Sequence, residues 1–290
     1  MKIRLVVTLS SLLYKIIGGR LSNNLNDSWI GRKMYRIISG SQKQFKIYST
    51  IEGIKVKLTD EEARSFGIVY LGTINKNETD VLKKIIKLGD IVIDIGAYAD
   101  GWYTLLTSRL VGKNGCVYAF EPHPIYYQRF KENVLLNRLT NTTLEQCGIS
   151  DKQGRFTFYE ARLASSLIKS QAMVHTKGAP KEMTIQTTTL DAYIEAKNIR
   201  HVSFVKIDVE GAGMSVLNGA NRLLRSSNAP DLLVEVFDEQ LRRGGSSERK
   251  LLSYLKRFGY TPYILTANGL ALYKGKQNPT LNLFFSKQSH

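Results

Sequence analysis

Cysteine is close to absent from this sequence: Cys116 and Cys147 are the only two in 290 residues, and no C-x-x-C pair occurs. That excludes a disulfide framework and a cysteine-rich structural zinc site, and it suits reduced thiols in a cytoplasmic protein. Spanning-length apolar runs are missing as well. The opening MKIRLVVTLSSLLYKIIGGRL is interrupted at Lys15 and no small-x-small cleavage site follows, so it reads as an amphipathic helix lying on the protein or on a membrane surface. There is no internal repeat or low-complexity tract, which leaves a globular chain able to bury one large core with an N-terminal extension. Acidic residues are scarce, 25 against 41 Lys and Arg, for a formal charge of +16. Within residues 1–60 the imbalance is 11 basic to 3 acidic. Such a segment favours anionic surroundings: a membrane surface, a phosphate-bearing substrate or nucleic acid, among which charge alone does not choose.

What is present, from Thr79 onward, is a regular alternation of strands and helices. IVIDI, residues 91–95, is a β-branched apolar run suited to a strand buried on both faces, and Gly96 ends it. From Trp102 the apolar residues recur at three- and four-residue spacings, so a helix starts near Gly101 with its free N–H groups facing the turn, where a ligand is expected. Glycines at both ends of that turn would let the ligand approach the backbone. A helix precedes the strand and ends at Gly89. CVYAFEP and TTLEQCGIS read as the second and third strands, with a helix over PIYYQRFKENVLLN between them. RFTFYE and EMTIQTTTL read as a hairpin or pair around a mobile polar loop near residues 162–182. TLDAYIEAK is a short helix, HVSFVKID a fourth strand, MSVLNGANRLL a helix, DLLVEVF a fifth strand and KLLSYLKRFGY a helix, with strands near YILTA and LNLFFSK. Upstream, QFKIYST and IKVKLTD suggest an antiparallel ribbon.

This order specifies an α/β fold, a doubly wound and mostly parallel sheet with right-handed crossovers. Ligands bind such sheets outside the carboxyl ends of the strands, which gathers Asp94, Glu121, Gly148, Asp208 and Glu235 along one edge. Glu121 lies 27 positions after Asp94 at the end of the neighbouring strand, where a carboxylate can accept bonds from both ribose hydroxyls. The turn G-x-x-x-x-G lacks the third glycine of a dinucleotide fingerprint and the Lys-Ser/Thr of a Walker A loop, because Trp102 and Tyr103 stand there. An adenosyl ligand without phosphates fits what is left: acidic strand ends for its amino and ribose groups, and the backbone turn for its carboxylate.

The ordered motifs GDIVIDIGA, GWYTLL, FEPHP, GISDKQG, TTTLDAYI, FVKIDVEGA and LLVEV make the sequence from about Gly72 onward resemble the FkbM family of S-adenosylmethionine-dependent methyltransferases. The resemblance implies a class I methyltransferase (Rossmann-like) domain over 72–290, behind a basic N-terminal α/β extension or cap over 1–71. It implies S-adenosylmethionine as cofactor and methylation of a hydroxyl on a sugar, glycan or other small polar acceptor. Asp94, Gly96 and Ala97 would line the methionine end, with Gly101 closing the turn. Glu121 and Pro122 would hold the ribose, Gly148 and Ile149 would border the adenine, and Asp208 and Glu210 would face the transferred methyl. Two departures stand out: Tyr98, Ala99 and Asp100 replace a shorter, Asn-containing turn, and Gly213 replaces a glutamate.

An alcohol is a weak nucleophile, so a carboxylate at the end of the fourth strand is expected to act as general base or to hold a divalent cation such as Mg²⁺. Asp208 and Glu210 lie on one side if the chain is still extended there. Glu210 is the preferred base, because backbone N–H groups at the strand end would hold Asp208 and weaken it. Glu235 would join them around a metal; inside an apolar strand it needs a substrate contact or an ion pair. His123 is a further base candidate. RNA methylation and a non-catalytic cofactor-binding role are the alternatives, though no RNA-binding module is legible. An anionic membrane surface could be touched through residues 1–20. Sequence leaves the oligomeric state open.

Overall fold

The structure, a computed structural model, describes residues 44–160, 166–169, 179–275 and 281–288. The amphipathic helix expected over the opening residues and most of the basic segment lie outside them, as does most of the loop expected near 162–182. Two compact units, Met1–Thr79 and Asp80–His290, make up the chain.

In the first unit, β1 (Phe45–Ser49) and β2 (Lys55–Thr59) form the expected antiparallel ribbon. Thr59 ends β2 and starts α1 (Asp60–Ser65) with a reciprocal capping box: its Oγ1 accepts from the Glu62 N–H, and Glu62 Oε2 accepts from the Thr59 N–H. A short α2 (Ile68–Leu71) follows, bracketed by Gly67 and Gly72, and α3 (Lys76–Ile85) leads into the second unit.

The second unit is built on an eight-stranded sheet of order β12-β11-β13-β10-β9-β3-β4-β5. The middle of its five parallel strands is β3 (Ile91–Ile95), where Val92, Ile93 and Ile95 are buried. Parallel β4 (Cys116–Phe120) and β5 (Thr142–Glu145) lie to one side of β3, and parallel β9 (Phe204–Ile207) and β10 (Asp231–Val236) to the other. Helices α4 (Trp102–Val111) and α5 (Pro124–Leu136) make the crossovers on the first side. The chain winds outward from β3 one way and then restarts beside it at β9. This reversal makes the sheet doubly wound and opens a crevice at the carboxyl ends of β3 and β9. Antiparallel β13 (Leu281–Ser286) is inserted between β10 and β11 (Thr261–Thr266), and β12 (Gly269–Leu272) forms the edge.

Two expected elements are divided. The third strand ends at Glu145; Gly148–Ile149 (β6) instead pairs parallel with the end of β8 (Lys181–Thr188), in a second sheet completed by β7 (Gly154–Glu160). After α6 (Leu190–Ala196), the helix expected over MSVLNGANRLL is two helices, α7 (Gly213–Asn218) and α8 (Asn221–Arg225). The break falls at Gly219, where a Cβ would sit 2.1 Å from the Ser150 carbonyl oxygen, so only glycine lets the two segments approach. Beyond β10, α9 (Asp238–Arg243) and α10 (Glu248–Lys256) precede the terminal strands. Both cysteines are free. Among the described residues no helix is long and apolar enough to cross a membrane.

Candidate active site

Register decides which side chains meet. Asp94 on β3 lies opposite Lys206 on β9, Lys206 opposite Leu233 on β10, and Glu235 opposite Asn282 on β13. Paired residues share a face and alternate residues return to it, so Asp94, Lys206, Glu235 and Asn282 stand on one face of the sheet. Asp208, two residues beyond Lys206, continues that row: its N–H donates to the Ile95 carbonyl at 3.0 Å. Helix α4 closes over the same face through Tyr103 and Thr104.

Asp94 is buried, and its Oδ2 accepts from Thr104 Oγ1 at 2.6 Å while Oδ1 has no hydrogen-bond partner. Burial pushes this carboxyl up to about 6, against the opposing pull of the Thr104 hydroxyl and the Lys206 charge. In the turn that follows, the Gly96 and Ala97 N–H groups both donate to the Phe120 carbonyl at 3.0 Å, and the Tyr98 N–H donates to Glu121 Oε2 at 2.9 Å. Asp100 caps α4 by accepting from the Trp102 N–H, and Asn133 on α5 holds the turn by donating to the Ala99 carbonyl at 3.0 Å. These amides, expected to face a ligand carboxylate, serve the protein's own acceptors. The glycines likewise answer to the protein: a Cβ on Gly101 would lie 2.2 Å from the Phe130 ring, and one on Gly96 1.8 Å from the Asp208 carbonyl oxygen.

Glu121, at the end of β4, is buried and ties down both the turn and the start of α5, its Oε1 accepting from the His123 N–H at 2.8 Å. Burial raises its carboxyl to about 7, although the two amide bonds oppose the shift. Each oxygen keeps a second lone pair for a hydroxyl donor. Pro122 bridges to His123, whose ring stacks on Tyr126 at 4.2 Å and lies 3.8 Å from Glu160. Both ring nitrogens of His123 are sealed from solvent without a hydrogen-bond partner, and burial lowers its pKa. His123 follows β4 while Asp208 follows β9, with β3 between them. Gly148 and Ile149 sit in the second sheet, Gly148 packed against Ile185 and Thr187.

At the end of β9 the chain does not stay extended as far as Glu210, which adopts a left-handed φ of 51°. Asp208 and Glu210 are therefore not strand neighbours, yet their charges converge on Glu235. Burial raises the Glu235 carboxyl well above its ordinary range, with Asp208 and Glu210 adding to the rise. Glu210 Oε2 accepts from Gln240 Nε2 at 2.6 Å. Asp208 is held by Lys206, whose Nζ lies 3.0 Å from Oδ2, where backbone N–H groups had been expected. Lys206 is fully buried; its Nζ also donates to Asn282 Oδ1 at 3.2 Å and lies 4.9 Å from the Tyr103 ring centre. Among the described residues no group of three or more His, Cys, Asp or Glu side chains is placed to hold a metal ion, and Asp208, Glu210 and Glu235, the candidates for one, are not gathered into such a group.

The FkbM methyltransferase domain matches residues 94–262, more than half of the chain. The chain belongs to the FkbM methyltransferase family. Hexuronic acid methyltransferase AglP of Haloferax volcanii is 29% identical to this FkbM protein over 157 residues, covering 53% of this chain and 60% of AglP. Methyltransferase 1 of Beauveria bassiana is 25% identical over 192 residues, 57% of this chain and 74% of its own. Among solved structures, methyltransferase FkbM from Methylobacillus flagellatus is 19% identical, with 68% of this chain and 43% of that one covered and a TM-score of 0.45. The FkbM chain thus spans less than two thirds of AglP and less than half of the Methylobacillus protein. Its motif residues Asp94, Glu121 and Asp208 stand at three adjacent strand ends, while Lys206, Asn282, Gln240 and Asn133 join them without having been singled out in the sequence.

Proposed function

We propose that this protein transfers the methyl group of S-adenosylmethionine to a hydroxyl of a sugar, glycan or other small polar acceptor. The observation that carries the reading is the buried Asp94 oxygen without a partner, at the carboxyl end of the central strand. A buried carboxylate in that state calls for a cationic donor, and the ammonium of the cofactor's amino-acid end fits it. Glu121, one strand away, would accept from the ribose hydroxyls. The turn amides, already bonded within the protein, are not available to the cofactor's carboxylate. When bound, the cofactor supplies an electrophilic methyl group on a sulfonium. Asp208, one third exposed at the next strand end, would orient the acceptor hydroxyl and take its proton as the new oxygen–carbon bond forms, the Lys206 ammonium keeping it charged and in place at some cost in basicity. The likeness to AglP, a hexuronic acid methyltransferase, supports a sugar as acceptor class.

Calorimetry with S-adenosylmethionine tests the binding half. Glu121→Ala should weaken the cofactor by about 1–3 kcal/mol, the loss expected for hydrogen bonds to a charged group. Melting curves belong beside it, because the Tyr98 and His123 N–H groups lose their acceptor. Unchanged affinity in a folded variant would rule out Glu121 as the ribose ligand. For the chemistry, labelled cofactor incubated with fractionated cell extract should identify the acceptor. With that acceptor, Asp208→Asn should lower kcat by about 10²-fold or more, and Glu210→Gln by less, since Asp208 continues the row of strand-end acids whereas Glu210 has left the extended path. The reverse ranking would move the base to Glu210.

A further inference from the structure

We propose that Lys206 is the resident cation of this site, a positioning residue whose ammonium stands where a metal-assisted transferase would carry a divalent ion and holds Asp208 toward the acceptor. The role of Asp208 rests on the reading above; the charge pairing itself does not. A buried ammonium is costly unless it is well paired, and an apolar residue in the middle of β9 would pack at no such cost. Lys206 is nonetheless fully buried in FVKI, a strand whose other members are all apolar. Its partners include Asp208 just past its own strand, Asn282 on β13 and the face of Tyr103 on α4. Convergence of this kind fixes the ammonium at one point.

The charges around that point are one-sided. Asp94 is its register partner, Asp208 its contact, and Glu235 faces Asp208 and Glu210. The Lys206 charge lowers the carboxyl pKa of both Asp94 and Glu235, while Asp208 raises both. A single ammonium therefore offsets the mutual repulsion of carboxylates drawn from β3, β9 and β10. Asn282 supplies an oxygen, not a charge, and so binds the ammonium without neutralising it. A divalent ion would do the same work with weaker demands on the fold; here the work is assigned to a covalently attached group.

The test uses the full chain, with Mn²⁺ as probe. Lys206→Met keeps the length of the side chain and removes its charge, leaving Asp208, Glu210 and Glu235 beside an uncompensated space. It should bind Mn²⁺ at least tenfold more tightly than the parent by calorimetry, and adding Asp208→Asn should abolish the gain. A folded Lys206→Met protein with the parent's Mn²⁺ affinity would overturn the proposal. So would parental Mn²⁺ binding that is lost in Asp208→Asn alone, since the place would then be open with Lys206 present. If Lys206→Met does not fold by itself, stability decides. The Lys206→Met, Asp208→Asn double variant, which removes both members of the contact pair, should recover part of the lost melting temperature, and no recovery would refute the pairing. Failure of the parent to bind S-adenosylmethionine would end the methyltransferase reading while leaving these outcomes in force.

Discussion

Gly96→Ala is expected to cost more than about 4 kcal/mol of stability, enough to unfold a domain of ordinary marginal stability. Gly96 has φ 85°, a conformation alanine adopts only with strain, and its missing side chain faces main chain: an added Cβ would lie 1.8 Å from the Asp208 carbonyl oxygen and 2.9 Å from its carbon. No side-chain rotation relieves such an overlap. The carboxyl ends of β3 and β9 would have to part, breaking the Asp208 N–H bond to Ile95 and the two amide bonds from the turn to Phe120. Gly213→Ala is the control. A Cβ there would meet only Val234, at 4.0 Å, and the structure offers no steric reason for glycine at this position. Urea melts should show the first variant collapsed or strongly destabilised and the second within about 0.5 kcal/mol of the parent. A Gly96→Ala protein as stable as the parent would mean that the two strand ends are not in contact.

Asp94→Asn should have the opposite sign at neutral pH. The Asp94 carboxyl is raised from 3.8 to about 6 in the folded chain, chiefly by burial. The folded state thus holds the proton more tightly than the unfolded one, and its relative stability falls as pH rises from about 4 to about 6. Above that the whole penalty is present, about 3 kcal/mol for a shift of roughly two pH units. Asparagine is neutral throughout and keeps an oxygen for Thr104. The variant should therefore be up to about 3 kcal/mol more stable than the parent at pH 7.5 and gain little at pH 4. It should also bind S-adenosylmethionine more weakly, having lost the acceptor for an ammonium. Stability gained together with affinity lost marks a residue retained for binding and against folding. A stability difference that is the same at both pH values would show that Asp94 is not held near 6.

Much of the fold was legible because its signals are local. The run Ile91–Ile95, the helical spacing from Trp102 and the strand closing at Glu121 each appear where patterning puts them. What escaped depends on partners distant in sequence. Gly148–Ile149 leaves the main sheet because Thr187 and Thr188 offer it a neighbour, and no short window records that pairing. Glu210 departs from the extended path because the following Gly211 packs against the Gln240 carbonyl, where a Cβ would be 2.6 Å away. In the site, acids at strand ends could be read from the rule for α/β sheets, but Lys206 could not. A lone lysine in an apolar strand becomes informative only when β13 brings Asn282 and α4 brings Tyr103 onto the same face. Asp100 did carry a signal, a carboxylate just before a helix, yet in the sequence it looked like part of a lengthened ligand turn.

The insertion of β13 between β10 and β11 imposes an order on assembly. Although β11 and β12 come earlier in the sequence, they are hydrogen-bonded to the rest of the sheet only through β13, so their place in it is complete only when the later strand has found its slot. Nor can the ammonium of Lys206 acquire its amide partner before then, because Asn282 travels on the same strand. The charge arrangement of the site is thus a late event, sealed by a pairing of high sequence separation, and any fluctuation that releases β13 unlatches it first.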